Sequence, residues 1–168
     1  MPDKYYYLVA FLPYLAFDDP MPIKEADFLS ECSKWLSPDD FETLTSMKPG
    51  DFGPGRKDPR VIGGWKAFEL SFREELAAVR KMRQSLPGER IPSEFRAVFE
   101  QPTPLLMERE IEKRKWRFLE GLEIDHHFDL EAIIIYYLKL RVLARLEIFN
   151  DEEKGKHIFT NLCEVKHE

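Results

Sequence analysis

Residues 128–149, FDLEAIIIYYLKLRVLARLEIF, decide the fold class. From Ala132 to Leu138 every side chain is apolar or aromatic, so a helix here has no polar face for water and must be covered on several sides. The unbroken run ends at Lys139 after seven residues, whereas a membrane span needs roughly 20 mostly apolar ones. A helix from Phe128 to Phe149, closed by Asn150, would be about 33 Å long. Such an element is either the centre of a bundle or a half-covered docking helix. The fold expected around it is all-α, an irregular helical bundle with this long apolar helix near its C-terminal end.

The segments before it carry helical periodicity. Ile23, Ala26, Leu29, Cys32, Ser33 and Leu36 recur at helical spacing, with Phe28 and Trp35 widening the apolar face. Ser37-Pro38-Asp39-Asp40 restarts the chain as a second helix: Ser37 caps, Pro38 suits the first turn, and the aspartates favour the positive dipole end. Trp65, Phe68, Phe72, Leu76, Val79 and Met82 form one stripe of a longer helix that Pro87-Gly88 ends. Pro92-Ser93 opens a short helix to about Phe99, and a highly charged helix runs from Leu105 to Leu122. Tyr5 to Leu12 reads as a short buried helix, with a strand as its alternative. A last helix carrying Ile158, Phe159, Leu162 and Val165 is expected to fold back on the central one.

Composition narrows the functional classes. The 168 residues fit a single helical domain, 1–168, and 43% hydrophobic with 33% charged residues suits helices with sharply divided faces. A net charge of −6 gives no general attraction to nucleic acid or anionic lipid. Cys32 and Cys163 lack the spacing of a metal site or a disulfide framework and read as buried thiols of a reducing cytoplasm. Pro13 interrupts the N-terminal apolar run and no small-residue cleavage site follows, so no signal peptide is expected.

Residues 49–64, PGDFGPGRKDPRVIGG, read as a long Gly/Pro loop. GPGRK lacks the full GxxxxGK[ST] pattern and no apolar strand precedes it, so nucleotide binding is not expected. Glu-x-x-His occurs twice, as Glu123 with His126 and Glu164 with His167, the spacing of carboxylate-bridged di-iron bundles. His126 lies in a corner and His167 is penultimate, so neither pair is expected to hold a metal. Asp125, His126 and His127 read as a helix start, with Asp125 or His127 near the cap, rather than as a general base pair. No catalytic, cofactor or metal residues are assigned. The candidate interface is Phe52, Arg56 and Arg60 of the loop together with Tyr136 and Tyr137, taken as exposed rings.

Three stretches carry a family resemblance: YYYLVAFLPYL at 5–15, FLSECSKWLSPDDFETL at 28–44 and FDLEAIIIYYLKLRVLARLEIFNDEEKGKHIF at 128–159. They resemble a poorly characterised bacterial family encoded beside V-type ATPase genes and distantly similar to the C-type (also called d-type) stalk component of V-type ATPases. The resemblance implies an all-helical, non-catalytic component, without a cofactor, that joins the central stalk to the membrane ring through protein contacts. It implies a cytoplasmic location, at the inner membrane only through partners. The chain is shorter than the full three-lobed C-type component. The rival expectations are a generic helical adaptor and a small metal-dependent helical enzyme built on Glu123 and His126, with Glu164 or His167 as a further ligand.

Overall fold

A computed structural model describes residues 4–47, 59–86 and 88–150. Among these residues the chain forms seven helices and no strand: α1 Tyr6–Phe11, α2 Glu25–Trp35, α3 Pro38–Thr45, α4 Arg60–Ser85, α5 Ser93–Phe99, α6 Pro104–Glu123 and α7 Leu130–Asn150. The all-α expectation holds. The last helix expected from the sequence, with Cys163, Glu164 and His167, lies outside the described residues.

α7 is the centre of the bundle. Ile133, Ile134, Ile135, Tyr137, Leu138, Leu140, Val142 and Leu143 are all buried, which accounts for the absence of a polar face in its sequence. The helix begins at Leu130 rather than Phe128, because the Asp129 carboxylate accepts a hydrogen bond from the Ala132 N–H at 2.8 Å and caps the first turn. Neither Asp125 nor His127 caps it. No helix among the described residues is long and apolar enough to cross a membrane.

Two apolar clusters organise the packing. The larger gathers Leu8 of α1, Phe28 and Cys32 of α2, Leu44 of α3, Trp116 and Leu119 of α6 and the α7 face. Phe28 is fully buried between two rings of α7, with centroids 5.3 Å from Tyr136 and 5.6 Å from Tyr137. The smaller cluster joins Phe72, Leu76 and Val79 of α4 to Phe95, Val98 and Phe99 of α5 and Ile111 of α6. α4 serves both, since Val61 and Ile62 at its start are buried in the larger cluster. At about 1.5 Å per residue its length is about 39 Å, enough to link them.

That anchoring corrects the reading of 49–64 as one loop. Arg60 to Gly64 are helical, and burial of Val61 and Ile62 outweighs the poor helix propensity of Gly63-Gly64. A Cβ at either glycine would meet nothing within 4 Å, and neither has a positive φ. Gly63→Ala and Gly64→Ala are each expected to raise stability by about 0.5–1 kcal/mol in chemical denaturation. At the other end of α4, Gly88 takes φ 100°, a conformation that suits glycine, and turns the chain towards α5.

Charge is also buried. Glu112 of α6 is 1% exposed and held by Lys115 Nζ at 2.9 Å and Arg145 Nε of α7 at 3.1 Å. Lys115 reaches Glu69 of α4 at 3.5 Å, so one network ties three helices. It borders a cavity of about 350 Å³ between α4, α6 and α7. Lys139, which breaks the apolar run in the sequence, is buried too. Its ammonium pairs with Glu123 and lies 5.1 Å from the ring centroid of Trp116.

Candidate functional site

α1 is short and held by few anchors. The Tyr5 N–H donates to the Phe128 carbonyl at 2.9 Å, Leu8 is fully buried, and Lys4 and Tyr5 reach Asp40 of α3. Asp40 also accepts from the Ser37 hydroxyl at 2.7 Å, while Ser37 caps α3 as its sequence implied. The staple fixes α1 against α2 and α3 and turns the rest of α1 outward.

Burial works against the charge on Asp40, yet hydrogen bonds from Lys4, Tyr5 and Ser37 outweigh it and lower its pKa below the ordinary 3.8. A lowered folded-state pKa stabilises above the unfolded-chain value, and that stabilisation is lost as pH falls through the folded value. The melting temperature is therefore expected to decline as pH drops below about 4, with a shallower decline in Asp40→Asn.

The outward side of α1 is aromatic. Tyr7 is 73% exposed, Phe11 66%, Tyr14 88%, and Trp35 at the end of α2 51%. Tyr7 and Phe11 are four residues apart on one helix, so they share a face. The Trp35 ring stacks on Tyr7 with centroids 6.2 Å apart. On the other flank Tyr6 packs on Phe128 at 4.8 Å, beside a groove of about 500 Å³. Val9, Leu12, Phe128 and Ile133 give it apolar walls, Glu120 and Glu123 add carboxylates, and Ile124 is exposed at its edge. So much exposed aromatic surface in one place is the usual mark of a contact site.

From the sequence, Tyr136 and Tyr137 are expected as exposed interface rings. Tyr137 is buried and its hydroxyl donates to Glu25 at 2.6 Å; Tyr136 is half-buried and donates to the Pro13 carbonyl at 2.8 Å. Burial, and for Tyr137 also the Glu25 carboxylate, raises both phenol pKa values, Tyr137 to about 12. Tyr137 is core and not an exposed surface, while Tyr136 lines the groove beside α1 with only part of its ring open to solvent. Arg60 starts α4 and gives its backbone N–H to Glu131 at 3.0 Å. Phe52 and Arg56 lie outside the described residues. Cys32 is buried as read, and burial raises its thiol pKa to about 12.

Glu123 and His126 are not brought together as a metal pair. Glu123 serves Lys139, while His126 Nδ1 lies 2.8 Å from Asp129 and 3.1 Å from Glu131. That trio offers three donor atoms within 4.8 Å of one another. Both carboxylates already accept a backbone N–H, Asp129 from Ala132 and Glu131 from Arg60, and so tie the starts of α7 and α4. Added zinc or manganese is expected to leave the melting temperature unchanged; a rise of several degrees would give the trio a ligand.

No curated protein and no solved structure matches the chain. The aromatic side chains of α1 and α2 lie outside the part of the chain that does match a family, whereas Ile124 and Phe128 lie within it. Residues 86–168, just under half of the chain, are similar to a family described as "Protein of unknown function (DUF2764)".

Proposed function

We propose that the protein is a non-catalytic coupling or accessory component of a V-type ion-translocating ATPase, acting through protein contacts. The observation that carries the protein-contact reading is the exposed aromatic face of Tyr7, Phe11 and Trp35, with Tyr14 exposed just beyond α1. Aromatic side chains left in water at this density give up burial that a partner surface would restore. The link to the ATPase comes from the sequence resemblance, and its stretches fall on elements that pack together. α1 and α2 lie against α7, with Tyr136 and Tyr137 hydrogen-bonded to Pro13 and Glu25.

Affinity capture of the tagged chain from its native membranes in mild detergent tests this reading. Recovery of ATPase subunits in stoichiometric amounts is the expected result. Their absence, with other proteins captured through the same face, would leave a helical adaptor unconnected with the ATPase.

A further inference from the structure

We infer that the aromatic face around α1 docks a basic, amphipathic segment of a protein partner, an inference that rests on the protein-contact part of the function proposed above. Charge complementarity points to the occupant. Residues 4–47, which carry Tyr7, Phe11, Tyr14 and Trp35, hold eight carboxylates against three lysines, a net charge of −5. Elsewhere in the chain 22 cations meet 23 acids. Nearly all of the excess negative charge therefore sits in the segment that bears the exposed rings.

Local pairing leaves most of that excess in place, with Asp18 drawing one cation from outside the segment, Arg109 of α6. Lys4 is taken by Asp40 and Lys34 by Glu31. Asp19, Asp27, Asp39 and Glu42 have no ion-pair partner among the described residues. Asp27, Glu31 and Trp35 follow one another at intervals of four along α2, so the ring and two carboxylates share one side of that helix. Across α1, Glu120 and Glu123 line the groove beside exposed Ile124, Glu123 being paired with Lys139, and His126 and His127 share the lining. The face is thus a band of rings and apolar wall with Asp27 and Glu31 on one flank and Glu120 on the other.

A helix with an apolar stripe and Lys or Arg on its margins meets each part of that band. Its apolar residues cover Phe11, Ile124 and the groove, its cations reach the carboxylates, and a guanidinium stacks on Tyr7 or Trp35. Anionic lipid and nucleic acid carry the wrong sign for this surface.

Calorimetric titration of the full chain tests the inference without any ATPase sequence, so its failure and that of the ATPase assignment are separable. The probes are a 20-residue amphipathic helix of leucine and arginine, the same peptide with glutamate for arginine, and phosphatidylglycerol vesicles. The expected result is binding of the arginine peptide alone, weakening as salt rises. Tyr7→Ser with Phe11→Ser is expected to weaken it roughly 30-fold or more, as loss of hot-spot residues does. Asp27→Lys with Glu31→Lys is expected to weaken it at least about 10-fold at low salt. Both pairs of substitutions fall on side chains that reach solvent, and an unchanged circular dichroism spectrum would show that the fold is intact. Equal binding of the glutamate peptide, binding of the vesicles, indifference to both double variants, or no binding of the arginine peptide would each overturn the inference. So would self-association of the chain that Tyr7→Ser abolishes, which would make a second copy the occupant.

Discussion

Phe28→Ala is expected to destabilise the fold by about 3–5 kcal/mol in urea or thermal denaturation, one of the two largest single-residue losses. The ring is fully buried and stacked against both Tyr136 and Tyr137, at interplanar angles of 23° and 10°. Its removal forfeits apolar burial and two aromatic contacts, and the cavity collapses poorly. The two tyrosines cannot move into it without losing the hydrogen bonds from Tyr136 to Pro13 and from Tyr137 to Glu25. Phe28→Leu, which refills part of the volume, is expected to recover about half of the loss. A loss under 1 kcal/mol for Phe28→Ala would contradict the central position given to the α2–α7 contact.

The second large effect is electrostatic. Lys115→Met removes the closer of the two cations that hold buried Glu112 and leaves that carboxylate with Arg145, whose side chain is half exposed. Leaving a buried charge uncompensated costs about 3–5 kcal/mol, and with Arg145 still 3.1 Å from Glu112 the loss is expected at the lower end of that range. A double variant compensates for it. Glu112→Leu with Lys115→Met removes the buried charge with its closer partner, leaves Arg145 to Glu108 and Glu69 to Arg73, and is expected to lie within about 1 kcal/mol of the parent chain, or above it. A double variant as unstable as the single one would mean that the α4–α6–α7 network stabilises by more than mutual neutralisation.

The sequence carried most of the helical architecture and little of the site. α7 was legible as a helix that must be covered, because a run such as Ile133-Ile134-Ile135 has no arrangement that leaves it in water, but only its burial in the structure decides between a bundle centre and a half-covered docking helix. Ser37 was legible as a cap because Pro38 and two aspartates follow it. Gly63-Gly64 misled, since local propensity favours a loop there and only the tertiary burial of Val61 and Ile62 overrides it. Tyr136 and Tyr137 misled in the opposite way. A tyrosine hydroxyl on an all-apolar helix suggests solvent, but Pro13 and Glu25 satisfy both hydroxyls inside the packing. The exposed face on α1 is not legible in the sequence because YYYLVAFL looks like core in one dimension. Only the anchoring of Tyr5 and Leu8 decides that Tyr7 and Phe11 point outward. The uneven charge of residues 4–47 was the signal available beforehand, because an apolar run set in an acidic segment suits a basic partner better than a self-contained core.

Cross-linking mass spectrometry on the complex captured from native membranes tests the central claim most directly. Lys4 and Lys34 edge the aromatic face, whereas Lys81 and Lys113 lie on α4 and α6, away from α1 and α2. Amine-reactive cross-links from Lys4 and Lys34 to lysines of ATPase subunits, fewer after Tyr7→Ser with Phe11→Ser, are the expected result. Cross-links to those subunits only from Lys81 and Lys113, or none to any part of the ATPase, would contradict it.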